Sequence, residues 1–262
     1  MNKNILLIGG LDPSGCAGVA ADLKTCMAWG AYGLPVITTI TAQNTREVSG
    51  VYSVATETIR SQVEAIVSDI EVHAVKIGLL GDSAILDLVD SLCREHRWTN
   101  IVVDPVLRST SGYDFADSSL ARNYTEKLFS CADVITPNID EASLLSGMEV
   151  KDIASMKEAA IRLHEFGAKN VVVTGGHLQR SAVDVLYDGS SYQLFDAPKL
   201  TNTNARGLGC TFATILAVHL AQGESISAAI TGAKQYIARA LVHPFRIGKG
   251  RGPLNHKAGR DV

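Results

Sequence analysis

Asn4-Ile-Leu-Leu-Ile8 runs without a break into Gly9-Gly10-Leu-Asp12-Pro-Ser14-Gly15-Cys-Ala17-Gly18, and Val19, Leu23 and Met27 then recur at four-residue spacing before Gly30. A short continuous apolar run fits a strand buried on both faces, as in a parallel sheet. The glycine-rich loop lets backbone approach a small ligand closely. The four-residue spacing predicts a helix with one apolar face. Strand, loop and helix in this order form the first unit of an α/β fold.

The same rhythm continues outward. Further strands are expected at Val36–Thr41, Ala74–Ile77, Ile101–Val103, Val134–Thr136 and Val171–Thr174. Helical stripes lie between and after them. One runs from Asp117 through Ala121, Tyr124 and Leu128; another carries Ile226, Ile230, Ala233, Ile237 and Leu241. Alternating strands and helices predict a doubly wound, mostly parallel sheet with helices on both faces. Residues 181–197 break the pattern, and Asp188-Gly189 within them predicts a β-hairpin. No linker or repeat divides the chain, so one domain over residues 1–262 is expected. The Gly-rich basic tail from Ile247 to Val262 is expected to lack regular structure.

Composition narrows the function classes. The 262 residues are 46% hydrophobic and carry a formal net charge of −3, which gives no reason to expect nucleic acid as a partner. Cys16, Cys26, Cys93, Cys131 and Cys210 are odd in number and widely spaced, against a disulfide framework or a zinc site and for reduced thiols. No charged n-region precedes an apolar segment of the signal type, and no run of about 18 apolar residues could span a bilayer. A cytoplasmic protein without membrane partners is expected.

In open parallel sheets, ligands bind beyond the carboxyl ends of the strands. Six polar segments fall there. The glycine loop after the first strand has neither P-loop nor dinucleotide spacing. Gln43, at the end of the second strand, both donates and accepts hydrogen bonds, which suits a heteroaromatic ring edge or an ordinary loop cap. Asp104-Pro105 and Thr136-Pro137-Asn138-Ile-Asp140-Glu141 end adjacent strands with carboxylates, as a Mg²⁺–nucleotide site needs, although Asn138 and Asp140 also read as helix caps. Gly175-Gly176-His177 follows the sixth strand, where His177 reads more readily as structural than catalytic.

The sixth is Asn204-Ala-Arg-Gly207-Leu-Gly209-Cys210-Thr211, which leads into a long apolar run. Two glycines at a helix start make either a tight turn or an anion site, because the first N–H groups of a helix are unpaired. A cysteine there is expected to have a lowered pKa and to accept a proton.

Taken together, Gly10-Leu-Asp-Pro-Ser-Gly15, Ala21-Asp22-Leu-Lys24-Thr25, Gly30-Ala-Tyr-Gly33, Thr41-Ala-Gln-Asn-Thr45, Val75-Lys-Ile-Gly78, Val103-Asp-Pro-Val106, Ile135-Thr-Pro-Asn138, Gly175-Gly-His-Leu178 and Gly248-Lys-Gly-Arg-Gly252-Pro-Leu-Asn-His256 resemble hydroxymethylpyrimidine/phosphomethylpyrimidine kinases of the ribokinase-like superfamily. The resemblance covers nearly the whole chain in order. It implies a three-layer α/β/α ribokinase-like fold, ATP and Mg²⁺ as cofactors, a homodimer, and phosphorylation of 4-amino-5-hydroxymethyl-2-methylpyrimidine and then of its monophosphate in thiamine biosynthesis. By position it puts Gln43, Gly10, Ala17, Asp22 and Val106 around the pyrimidine. Asp104, Asn138, Thr174 and Arg206 fall on the nucleotide phosphates, and Glu141 with Asp104 on Mg²⁺ through water. Gly207, Gly209 and Cys210 form the anion hole, with Cys210 as base.

The chain departs from the family pattern at four places: Thr110 and Thr174 replace lysines, Leu79 replaces a methionine, and Ala205, Arg206 and Leu208 replace Thr, His and Thr. Arg108 and Arg206 are cations close by in sequence. A pyridoxal/pyridoxine kinase of the same superfamily is the nearest alternative. A non-catalytic pyrimidine-binding protein and a cysteine hydrolase built on Cys210 with His177 or His256 are further ones.

Overall fold

The computed structural model describes residues 3–109, 112–115, 118–176, 182–197, 205–242 and 245–257. Thr110, Asp117, His177, Ser181, Asn204 and the tail beyond Lys257 lie outside them.

One nine-stranded sheet forms the middle of the molecule. Its strands are β1 (Asn4–Leu11), β2 (Tyr32–Gln43), β3 (Val48–Ser53), β4 (Ala74–Ile77), β5 (Ile101–Val103), β6 (Val134–Ile135), β7 (Val171–Val173), β8 (Asp184–Tyr187) and β9 (Tyr192–Phe195), in the order β3-β2-β1-β4-β5-β6-β7-β8-β9. The six strands from β2 to β7 in that order are parallel, and β3, β8 and β9 add antiparallel edges. The order reverses beside β1, between β2 and β4, which opens a crevice at the carboxyl ends of β1 and β4.

Strand alternation divides the apolar side chains into two cores. Leu6, Ile8, Val75, Ile77, Ile101 and Val103 face α2 (Thr56–Val67), α3 (Ser83–His96), α4 (Ser118–Glu126), α5 (Ile139–Ser146) and α6 (Ile153–Glu165). Ile5, Leu7, Ala74, Val102, Val134 and Val172 face α1 (Gly18–Ala28), α7 (Leu208–Ala221) and α8 (Ile226–Val242). The result is the expected three-layer α/β/α arrangement. Each fully buried Leu or Ile contributes about 1.5–3 kcal/mol relative to exposure, so the two cores supply most of the driving force.

The expected hairpin in 181–197 is β8–β9. Its turn is closed by Asp188 Oδ1, which accepts from Ser190 N at 2.8 Å and Ser191 N at 2.7 Å. Helix α1 forms where expected, but on a different face. Val19, Ala21, Asp22, Thr25 and Cys26 are buried, whereas Leu23 is 37% and Met27 81% exposed. Spacing by four cannot separate two adjacent helical faces. Here Asp22, drawn inward by a partner on the sheet, turns the apolar stripe outward.

The tail also differs from expectation. Gly252–Pro253 forms a short strand, β11, paired in parallel with β10 (Ala205–Arg206). Leu254 and His256 are buried behind it. His256 packs against Thr25 and Tyr236, whose hydroxyl donates to the His256 carbonyl at 2.9 Å. Burial, with the Lys24 ammonium adding to it, holds the imidazole down at about 4. Its folded pKa therefore lies below its unfolded value of about 6.5, so the stability it protects is complete above pH 6.5 and lost as pH falls towards 4. Urea midpoints are expected to decline across that window, with His256 supplying a slope of up to about 1.4 kcal/mol per pH unit. His256→Asn should flatten that part of the curve, and an unchanged slope would remove His256 as its cause.

Candidate active site

The glycine loop after β1 is organised by one carboxylate. Asp12 is buried and accepts from Ser14 N at 2.8 Å, Ser14 Oγ at 2.7 Å, Ala17 N at 3.0 Å and Gln43 Nε2 at 2.9 Å. It thereby ties the loop to the end of β2 and fixes the amide of Gln43. Gly10, Ala17 and Gln43 come together here, at the crevice where the strand order reverses.

Helix α7 begins across this loop. Gly207 is its N-cap, with φ 79°, and a Cβ there would lie 2.3 Å from the Cys16 carbonyl oxygen. Only glycine permits both the left-handed backbone and that approach. Two residues on, a Cβ at Gly209 would lie 3.8 Å from each oxygen of Asp104. The first turn of α7 therefore sits between the β1 loop and the carboxyl end of β5, with its unpaired N–H groups over the sheet edge.

Cys210 lies in that turn, half-buried. Its charged neighbours are the Lys76 ammonium and the carboxylates of Asp22 and Asp104. Burial pushes the thiol up to about 12, against the pull of the Lys76 ammonium. This corrects the expectation of a lowered pKa: desolvation of the thiolate outweighs the helix terminus and the lysine, and the group is a neutral thiol at pH 7.

Under the turn lies a buried network that spans three elements. Lys76 of β4 donates to Asp22 Oδ2 of α1 at 2.9 Å, and Thr214 of α7 donates to Asp22 Oδ1 at 2.9 Å. Thr214 also reaches the Cys210 carbonyl at 2.8 Å. Asp22 is completely enclosed and committed to these partners, so it lies behind the pocket wall. A lysine inside the apolar strand Ala74–Ile77 was the sequence signal for this network, because a buried ammonium requires a partner.

Asp104 and Glu141 are both buried. Glu141 caps α5: its Oε2 accepts from Asn138 N at 2.9 Å, while Asn138 Oδ1 accepts from the N–H groups of Asp140 and Glu141. The capping reading of Asn138 is thus realised. Burial pushes both carboxyls up, and the Asp104 charge pushes Glu141 further. Two enclosed carboxylates raised in this way are a donor set that a divalent cation would relieve, so the residues fit Mg²⁺. Thr174 bridges to Asn138 across the neighbouring strand end, and Val106 N bonds the Asp104 carbonyl at 2.8 Å.

The two arginines are placed differently. Arg108 is exposed and paired with Asp114 at 2.5 Å. Arg206 is buried, and its Nη1 donates to the Asn44 carbonyl at 2.6 Å. The guanidinium is turned towards the β2–β3 turn, a contact that sequence reading did not anticipate. His177 lies outside the described residues, and His256 is buried against Thr25 of α1 and Tyr236 of α8.

A sheet edge that gathers a helix N-terminus and paired carboxylates serves phosphoryl transfer, and the fold places the chain among the ribokinase-like kinases. The family model described as phosphomethylpyrimidine kinase matches residues 12–255. The chain belongs to that family. It is 42% identical over 261 residues to the thiamine biosynthesis bifunctional protein ThiED of Geobacter sulfurreducens, covering 99% of this chain and 53% of that protein, so it spans about half of that relative's length. It is 38% identical to the hydroxymethylpyrimidine/phosphomethylpyrimidine kinase of Haemophilus influenzae, covering 98% of this chain and 97% of that one. Among solved structures, an ADP complex of Bacillus subtilis pyridoxal kinase superposes with a TM-score of 0.92 at 37% identity, covering 98% of each chain.

Proposed function

We propose that the protein is a single-domain, ATP-dependent kinase of 4-amino-5-hydroxymethyl-2-methylpyrimidine and of its monophosphate, acting in thiamine biosynthesis. The observation that carries this reading is the first turn of α7 set over Asp104, with Gln43 fixed by Asp12 across the same crevice. Gln43 presents its amide to the ring edge of the pyrimidine, in a pocket that Gly10, Ala17 and Val106 line. The N–H groups from Gly207 to Cys210 receive the oxygens of the transferring group. Asp104 and Glu141 would hold Mg²⁺, and Asn138 and Thr174 border the nucleotide phosphates. When bound, the ion supplies positive charge that offsets the phosphate oxygens.

Cys210 relays a proton. As Sγ takes the proton of the substrate hydroxyl, its own proton passes to the neighbouring Asp104 carboxylate. A loose transition state asks little of a base. Cys210→Ala is therefore expected to lower kcat by about 10²-fold, the low end for general base catalysis, and to leave the pyrimidine KM within about threefold. Steady-state ADP release measures both, and an unaltered kcat would take Cys210 out of the mechanism.

A homodimer fits this reading. Ile40 and Tyr52 are partners in the β2–β3 register and stand 48% and 63% exposed beside an open sheet edge. Sedimentation at twice the chain mass is the expected result. Five free thiols suit a reducing cytoplasm. Among the described residues, no helix is long and apolar enough to cross a membrane.

The likeness to a pyridoxal kinase supports a second reading, pyridoxal phosphorylation at the same site. An ATP-consumption assay with hydroxymethylpyrimidine, its monophosphate and pyridoxal as separate substrates decides between them. Turnover of both pyrimidines above that of pyridoxal is expected. Turnover of pyridoxal alone, or of none, overturns the proposal.

A further inference from the structure

Arg206 stands between the two halves of the site, and nothing in the phosphoryl-transfer reading uses it. Its backbone lies on β10, paired with Pro253 of β11, and the next residue is the Gly207 N-cap of α7. Its side chain reaches 162 residues back in sequence to the Asn44 carbonyl. Asn44 belongs to the turn that follows Gln43. That turn is closed by Asn44 Oδ1, which accepts from Arg46 N at 2.8 Å and Glu47 N at 3.1 Å. Gly250 N holds the same turn through Thr45 Oγ1 at 3.1 Å. One guanidinium thus joins the residue next to Gln43 with the residue next to the anion hole. Among the described residues it has no carboxylate within ion-pair distance. Its bond to a neutral carbonyl, in a position only 4% exposed, is consequently directional rather than a charge pairing.

We infer that Arg206 is a positioning residue that locks the Gln43 turn to the Gly207 turn, so that the pyrimidine pocket and the anion hole keep one register. It acts through those turns and not as a ligand of phosphate. The inference rests on the proposed placement of the pyrimidine at Gln43 and of the phosphoryl group at α7. A hydrogen bond with a charged donor is stronger than a neutral one, so its loss should change affinity by roughly tenfold or more.

The test uses the full chain with Arg206→Met, Arg206→Lys, Gln43→Ala and the Arg206→Met/Gln43→Ala double variant. Arg206→Met is expected to raise the pyrimidine KM about tenfold and to leave the ATP KM within about threefold. Arg206→Lys should recover part of the loss. The double variant should bind pyrimidine no more weakly than Gln43→Ala alone, because both changes disable one element. A raised ATP KM with an unchanged pyrimidine KM would make Arg206 a phosphate ligand and overturn the inference, as would additive losses in the double variant.

Hydrogen exchange gives an arm independent of turnover. Arg206→Met should speed exchange in residues 43–47 and in 207–211 together, while α6 keeps its protection. Faster exchange in one segment only, or in neither, refutes the lock even if the wild-type protein phosphorylates a different substrate. Absence of pyrimidine turnover in the wild type counts instead against the proposed function.

Discussion

Gly207→Ala is expected to lower kcat by roughly 10²–10³-fold, the cost of losing a preorganised donor from an anion hole. Two causes act at once. The residue has φ 79°, a region that costs an alanine about 1–2 kcal/mol. Its new Cβ would also lie 2.3 Å from the Cys16 carbonyl oxygen, a backbone atom that no side-chain rotation can move. Relief requires that the start of α7 retreat from the β1 loop, which carries the N–H groups of residues 207–210 away from Asp104. ADP release at saturating substrate measures the loss, and a circular dichroism melt verifies that the fold persists. Near-normal kcat in a folded variant would show that the α7 turn does not hold the transferring group.

Lys76→Met is expected to cost about 3–5 kcal/mol of stability, because removal of one partner from a buried ion pair leaves the other charge uncompensated. Asp22 would remain enclosed with Thr214 as its neighbour. Lys76→Met/Asp22→Asn should regain most of the loss, since the stranded charge is gone. Urea titrations of both variants supply the comparison. If the single variant fails to fold, recovery of a cooperative transition in the double variant carries the test. Equal stability of the single variant and the wild type would mean that Asp22 takes up a proton and folds neutral, in keeping with the upward push of its pKa by burial.

How much of this could be read beforehand varies by residue. The apolar runs at Ala74–Ile77 and Ile101–Val103 coincide with β4 and β5, because a strand buried on both faces reads as a near-continuous apolar run, which the single paired Lys76 does not obscure. Strand β3 has no apolar signature in the sequence. It is a half-exposed edge with a glycine and two serines. Asn138 and Glu141 were found by their place after β6, yet their reciprocal capping became definite only when both hydrogen bonds were present. The Cys210 pKa moves opposite to the direction that its place at a helix start implies. A helix start is a local feature, whereas desolvation depends on everything packed over the thiol.

Residue order alone determined the alternating layers, the hairpin at 184–195 and the edge where the chemistry gathers. Each follows from short-range periodicity and from the rule that parallel strands end at one common side. Tertiary structure decided what separated residues do to one another. It placed Asp22 against Lys76, closed the tail onto β10, and turned Arg206 towards Asn44. Those outcomes depend on contacts between residues tens to hundreds of positions apart, where burial fixes both partner and protonation state. No window along the chain contains that information.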